Sequence, residues 1–471
     1  MAATVPNSAP IPVTGVAMPA VGRLALAWPR IGLGLILLLS AALELVGLAG
    51  EGYANSYYAA GIKSMLTSWH NFFFVSYDAG GFVSIDKPPL GLWIEAASAR
   101  LLGFSGFSML LPEALAGVFS VALLYHLIAR IWGPVAGLTA ALALAVTPIS
   151  VVINRNNTID SQLILVLLLA AWAAALAAER GRLRLLLLCA AFVGLGFNIK
   201  MLQAYLVLPG FALMYLLGAP ISWRKRIIHL VLATVVLLVV SLSWATIVDL
   251  TPAGQRPFVS DSGTNSELSL ALGYNGLGRF TQALFPGVSV LRILGMNIDL
   301  SIVPAFASDI GDPGFLRMLS PALGTQVSWL LPLALVGLVV AACRQRFRLP
   351  LDREGQSLLL WGGWLLVAGF FFSTARFYHL YYLVMFAPPV AALAGIGLPT
   401  LWRWYGRKSE SRWRIAGWTA WLLPAALLAT AAVQISFLTS YPDWSAWLSP
   451  LLVGLCIAAA LVLAAGRLRL A

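Results

Sequence analysis

Charge is scarce in this sequence. Only 10% of its 471 residues are Asp, Glu, Lys or Arg, while 60% are hydrophobic. Soluble domains carry about a quarter charged residues, so the chain cannot coat the several soluble domains that its length would otherwise suggest. Cysteine is almost absent, with three in all, which excludes a disulfide scaffold. The polar, weakly apolar composition of a disordered chain is missing as well. So are the HExxH, CxxC, Walker and GxGxxG arrangements of common metal and nucleotide sites. What is present is a series of apolar runs near 20 residues long. These predict an all-α, polytopic membrane protein.

About twelve spans are expected, over 31–50, 107–129, 134–153, 160–178, 185–199, 203–218, 227–248, 326–343, 356–374, 379–400, 414–437 and 446–466. The fifth and sixth are short and meet at a polar joint, Asn198, Lys200 and Gln203. Residues 1–22 read as a disordered cytoplasmic tail and 23–471 as the transmembrane domain. The first apolar run is longer than a signal-peptide core and reads as an uncleaved helix. With the N-terminus placed in the cytoplasm, the short connections on that side hold most of the basic residues, among them Arg130, Arg180, Arg182, Arg184, Arg224, Lys225 and Arg353. The net charge of +12 is therefore a topology signal that meets anionic lipid, not a nucleic-acid surface. The expected location is the cytoplasmic (inner) membrane, with both termini cytoplasmic. Two long connections, about 51–106 and 249–325, then lie outside, and unusual polar residues gather there. Neither holds a cysteine, so no disulfide is expected, and too few His stand there to suggest zinc. No cofactor is required; a divalent cation could be held by acidic pairs.

In the first outer loop, residues 55–68 mix aromatics with Ser, Lys and Thr and suit a helix lying in the interface. Asp86-Lys87-Pro88-Pro89 reads as a helix start, with Asp86 as a cap. Lys87 opposes the dipole of such a helix unless an anion is bound there, and a phosphate group at the membrane surface is the natural one. The second outer turn, Asn154 to Asp160, also reads as a cap made by Asn157 or Thr158, yet a cap does not require Arg155. Tyr274, Asn275 and Arg279 stand among glycines, a pattern open to sugar or phosphate contacts or to a plain solvated turn. Arg376 and His379 exceed what an aromatic belt around Tyr381 and Tyr382 needs. Glu44 lies inside the first span but near enough to its end to reach water.

These stretches together resemble the GT-C class of integral-membrane glycosyltransferases. Within it they resemble the bacterial relatives of dolichyl-phosphate-mannose protein mannosyltransferases and of the lipid A aminoarabinose transferase, above all a mannosyltransferase-like branch. The resemblance is carried by Asn55-Ser-Tyr-Tyr-Ala-Ala, Ser68-Trp-His-Asn-Phe-Phe-Phe, Asp86-Lys-Pro-Pro-Leu, Arg155-Asn-Asn-Thr-Ile-Asp160, Gly273-Tyr-Asn-Gly and the His379, Tyr381, Tyr382 cluster. It implies a polyprenyl-phosphate-linked sugar donor, a glycolipid, polysaccharide or protein acceptor, and inverting transfer on the extracytoplasmic face. It also implies a carboxylate base in the first outer loop and a donor-phosphate role for Lys87. The Asp-Glu pair that the aminoarabinose-transferase pattern places before the interfacial helix is replaced here by Ala54-Asn55. The candidates for the base are therefore Asp86, first because it adjoins Lys87, then Asp78 and Glu51. Arg155, Arg376 and Arg279 are candidates to join Lys87 at the phosphate. Asn55, Tyr58, His70, Asn157, Asp160, Tyr274, Asn275, His379 and Tyr382 are candidates for other substrate contacts. Two rival readings are a transporter or flippase of lipid-linked sugars and a non-catalytic subunit that binds them.

Overall fold

The computed structural model describes residues 20–279, 290–293, 296–299, 310–345, 348–406 and 419–470. Most of the expected tail, 1–22, lies outside the described residues. The first helix, α1, begins at Ala20 and runs to Leu45. Two short helices follow, α2 (Ser56–Met65) and α3 (Trp69–Phe73), then α4 (Pro89–Leu102) and the long α5 (Gly106–Trp132). Local chemistry sets several of these starts. Asn55 caps α2 by accepting from the amides of Tyr57 and Tyr58, and Ser105 with Ser108 forms a capping box at the head of α5.

Gly133 and Pro134 end α5 and begin α6 (Pro134–Ala145), which breaks at Thr147 before α7 (Pro148–Asn154). The two are bent by 60°. Then come α8 (Asp160–Arg180), α9 (Leu183–Lys200), α10 (Leu208–Gly218), α11 (Trp223–Leu250) and the short α12 (Glu267–Leu272). A two-stranded antiparallel hairpin, β1 (Val290–Ile293) with β2 (Met296–Asp299), lies in the second long connection. The C-terminal part holds α13 (Pro321–Val327), α14 (Leu331–Arg344), α15 (Arg353–Thr374), α16 (Ala387–Tyr405), α17 (Leu422–Leu438) and α18 (Pro442–Leu470).

Among the described residues, nine helical stretches are long and apolar enough to cross a membrane, or up to eleven if each of two bent pairs is one span. Twelve is not reached on this count. The expected fifth and sixth spans form one stretch, Leu183–Gly218, with a break at Met201. Its ends nevertheless meet, since Gly181 packs on Ile221. The stretch is a hairpin with Lys200 near its tip.

One extended apolar core joins these helices. Where α14 crosses α16, Gly337 faces Gly397, and a Cβ on Gly397 would lie 2.7 Å from the Gly337 Cα. Such backbone approach is the usual way apolar helices pack where burial from water gives no drive. At one end of the bundle, Glu179 of α8 is clamped by Arg130 of α5 and by Arg353 of α15 (3.5 Å for the latter). The candidate site lies at the opposite end, where α4 and α8 begin.

Candidate active site

Four backbone segments converge at that end: the link before α4, the turn before α8, the α9–α10 tip and the segment 274–279. Three residues flanking candidate or site residues take positive φ without being glycine. Ala54 (φ 50°) precedes Asn55, Ile159 (φ 61°) precedes Asp160, and Met201 (φ 47°) follows Lys200. Such strain persists only where the surroundings over-determine it, and it concentrates at functional sites.

The centre is the buried ion pair of Asp86 and Lys87, with Lys87 only 1% exposed. Asp86 is not the cap of α4. The N-cap is Pro88, no side chain caps it, and the Asp86 carboxylate turns to Lys87 instead. The Asp86 amide donates to the Tyr57 hydroxyl (3.2 Å), and its carbonyl accepts from Asn275 Nδ2 (2.9 Å). Lys87 Nζ and Arg279 Nη2 each lie 3.5 Å from the same atom, Asn275 Oδ1. Two buried cations thus converge on one neutral oxygen. Tyr274 stands beside both, its ring centroid 5.6 Å from Lys87 Nζ and 5.3 Å from the Arg279 guanidinium carbon. Arg279 also donates to the Tyr382 hydroxyl (3.1 Å), and its buried Nε has no partner among the described residues.

A second buried pair, Asp160 with Lys200, stands behind the first. Lys200 also donates to the Thr158 carbonyl (3.1 Å), and its Nζ lies 4.4 Å and 4.6 Å from the ring centroids of Tyr381 and Tyr382. Tyr382 therefore connects Lys200 on one side to Arg279 on the other. Neither Asn157 nor Thr158 caps α8, whose N-cap is Ile159 with no side-chain bond. Asn157 instead holds the Asn55 backbone from both sides, accepting from its amide (2.8 Å) and donating to its carbonyl (3.1 Å).

Burial tends to raise the Asp86 carboxyl, but Lys87 and Arg279 outweigh it and hold Asp86 below the usual carboxylate range. His379, stacked on Tyr381 at 4.9 Å, is pushed down to about 3 by burial and by Lys87, Arg279 and Lys200. It is neutral in the folded protein at any physiological pH. The folded value lies below the unfolded one, so this histidine supports the fold above about 6.5 and withdraws that support as pH falls toward 3. Replacing it by phenylalanine should remove this component. The thermal midpoint of His379→Phe is expected to fall less than wild type between about pH 7 and pH 5, where the unfolded imidazole takes up its proton.

The structure brings Asp86, Lys87, Tyr274, Asn275, Arg279, His379 and Tyr382 together, with Tyr58 and Asp160 behind them. Tyr58 is buried and bonded to Tyr381. Other candidates stand apart. Arg155 donates to Glu51 (2.7 Å) and to the Leu43 and Val46 carbonyls (2.9 and 2.8 Å), so its guanidinium closes the C-terminal end of α1. That also occupies Glu51. Asp78 accepts from the Phe82 and Val83 amides (3.1 and 3.0 Å) and closes the Gly80-Gly81 turn. Asn55 caps α2. Arg376 is exposed and reaches the cluster through its amide, which donates to the Arg279 carbonyl (3.0 Å). His70 Nε2 lies 3.1 Å from the Gln255 carbonyl and joins the two long loops. The same loops are stitched nearby, where Phe258 donates to the Phe82 carbonyl (2.8 Å) and accepts from the Ser84 amide (2.9 Å). Among the described residues, no group of three or more His, Cys, Asp or Glu converges as metal ligands would.

Lys200, Tyr57 and Tyr381 join the site without having been assigned a role from sequence. Lys200 carried a usable signal, since a lysine between two apolar runs is a functional candidate by default.

Residues 86–244 match the family model described as dolichyl-phosphate-mannose-protein mannosyltransferase. Two Bacillus subtilis (strain 168) proteins align along most of the chain. "Putative mannosyltransferase YycA" is 38% identical over 91% of this chain and 71% of its own length, and "Putative mannosyltransferase YkcB" is 37% identical over 87% and 66%. The chain belongs to this mannosyltransferase family. It spans about two thirds of the length of these family members. Solved structures give the same architecture. ArnT from Cupriavidus metallidurans bound to undecaprenyl phosphate superposes with a TM-score of 0.54 at 20% identity, over 96% of this chain and 74% of that one. Its apo form gives 0.52 at 18%, over 94% and 75%. The apo Archaeoglobus fulgidus oligosaccharyltransferase gives 0.50 at 13%, over 86% and 55%. These likenesses establish a GT-C fold for the mannosyltransferase family member described here.

Proposed function

We propose that the protein moves a sugar from a polyprenyl-phosphate donor to a hydroxyl group of a glycolipid, polysaccharide or protein, on the extracytoplasmic face and with inversion. The observation that carries this reading is the convergence of buried Lys87 and Arg279 on one atom, Asn275 Oδ1, 3.5 Å from each. A phosphoryl oxygen placed near that atom meets an ammonium and a guanidinium in a site shielded from water, where charge-assisted hydrogen bonds are strongest. At the convergence itself Lys87 and Arg279 face one acid, Asp86, which leaves a surplus positive charge for a phosphodiester. The basic connections flank the opposite end of the bundle, which favours an extracytoplasmic site.

In this reading Asp86 is the base. Its carboxylate is a poor base while Lys87 neutralises it. When the donor phosphate draws Lys87 to itself, Asp86 regains basicity, so proton abstraction awaits the donor. The acceptor oxygen then attacks the anomeric carbon and its proton passes to Asp86. The bond from the anomeric carbon to the phosphate oxygen breaks, and its electron pair leaves on the lipid phosphate. Lys87 and Arg279 hold the charge that develops there.

The test is acceptor-dependent release of free polyprenyl phosphate from a panel of radiolabelled polyprenyl-phosphate sugars, using the purified full chain in lipid nanodiscs. Wild type is expected to release it and Asp86→Asn to fall by about a hundredfold or more, the scale of losing a positioned base. Transport of intact lipid-linked sugar across the bilayer without release would overturn the proposal.

A further inference from the structure

Two buried carboxyl groups lie below the site and play no part in the transfer just described. Glu95 is in α4, the helix that follows Lys87, and Glu113 is in α5; neither is exposed at all. Glu113 accepts from the Ser161 amide (3.1 Å), the Gln162 amide (3.3 Å) and Gln162 Nε2. It thus supplies from another helix the cap that the head of α8 lacks. A carboxylate belongs at such a helix start, where free amides and the dipole favour negative charge. Gln162 Nε2 donates in turn to the Gly91 carbonyl of α4 (3.3 Å).

Glu95 is different. Among the described residues no N–H or hydroxyl reaches either of its oxygens, and the group it touches is the Glu113 carboxyl. Two carboxylates cannot hydrogen-bond, so one must carry a proton. Glu113 is already satisfied as an acceptor, which leaves the proton on Glu95, donated to Glu113. The charged groups facing the pair are Lys200 from α9 and Asp160 from α8. Burial and Glu113 raise the Glu95 carboxyl well above its usual range, against the smaller pull of Lys200.

We propose that protonated Glu95, bonded to Glu113, is a positioning residue that pins the helix after Lys87 to the helix headed by Asp160, so that the two ion pairs of the site keep their spacing. The role rests on reading Lys87 as the donor-phosphate contact. It predicts a site that loosens when one buried proton is lost at alkaline pH.

The experiment measures undecaprenyl phosphate binding to the full chain in nanodiscs, across pH, for wild type, Glu95→Gln, Glu95→Ala and Lys87→Met. Wild-type affinity is expected to weaken about tenfold on the alkaline side, the effect of one buried hydrogen bond. Glu95→Gln keeps an N–H donor at every pH. It should bind like wild type at neutral pH, keep that affinity at alkaline pH and lose one protonated-carboxyl band in the infrared spectrum. Glu95→Ala should bind weakly throughout. The ionisation of the ligand itself is common to all variants and cancels in the comparison. The same alkaline weakening in Glu95→Gln, or an unchanged infrared band, overturns the proposal. If Lys87→Met instead binds as tightly as wild type, the phosphate reading fails, and unfolding then decides on the pair. A raised carboxyl stabilises fully below its unfolded value and loses that contribution as pH rises through the folded one. Wild type should therefore lose stability with rising pH more steeply than Glu95→Gln, and parallel profiles overturn the pair.

Discussion

Lys87→Met should lower the rate of sugar transfer by about two orders of magnitude or more, the cost of removing one positioned donor from a charge-stabilising site, near 3 kcal/mol. The expectation follows from burial and convergence rather than from charge alone. Methionine keeps much of the stem volume, so packing around Tyr274 changes little. What is lost is the ammonium that faces Asn275 Oδ1 beside Arg279. The substitution also leaves the Asp86 carboxylate without its cation, so stability falls along with rate. Combining Lys87→Met with Asp86→Asn removes both charges and should restore the melting temperature while leaving transfer absent. A double variant that transfers sugar at the wild-type rate would remove the pair from the chemistry.

Lys200→Met should cost about 3–5 kcal/mol of stability, the penalty for stranding one member of a buried ion pair. Asp160 is wholly buried, and the groups left to it are neutral, Gln203 Nε2 at 3.4 Å and the Thr158 side chain. The loss would be read as a fall in the thermal midpoint or in the yield of monodisperse protein. Here too the double replacement, with Asp160→Asn, should recover most of the stability, because two neutral side chains of similar size need no counterion. Transfer should recover only in part, since Tyr381 and Tyr382 lose the cation beside their rings. A single Lys200→Met variant as stable as wild type would mean that Asp160 is protonated or hydrated in place.

Sequence reasoning reached the helical membrane architecture because apolar length is a local property. It was weaker on the number of spans, since two bent pairs and the hairpin at Lys200 blur what counts as one helix. It singled out Lys87, Tyr274, Asn275, Arg279, His379 and Tyr382 because each is anomalous against an apolar background. It could not separate Arg155 from them. A long cationic side chain among asparagines looks the same whether it meets a ligand or the carbonyls at the end of α1. The cap reading of Asp86 was the economical local one, but the adjacent Lys87 took its carboxylate. Asp160 does stand in the first turn of its helix, yet it is held there by the distant Lys200. Glu95 and Glu113 escaped for the opposite reason. One lies in the outer connection, beyond the helix start read at Asp86–Pro89, and the other near the start of a span, and only the fold reveals that they touch.

The stitch between Phe258 and the strand-like segment Phe82–Ser84 fixes more than two loops. One of the joined segments leads directly into Asp86 and Lys87, and the other leads through α12 into Tyr274, Asn275 and Arg279. Backbone hydrogen bonds thus tie together the two stretches of chain that carry Lys87 and Arg279. On the function proposed above, the spacing of the two charges would then be built into the backbone rather than induced by the ligand, and little dipolar reorganisation would be left for the moment of bond breaking.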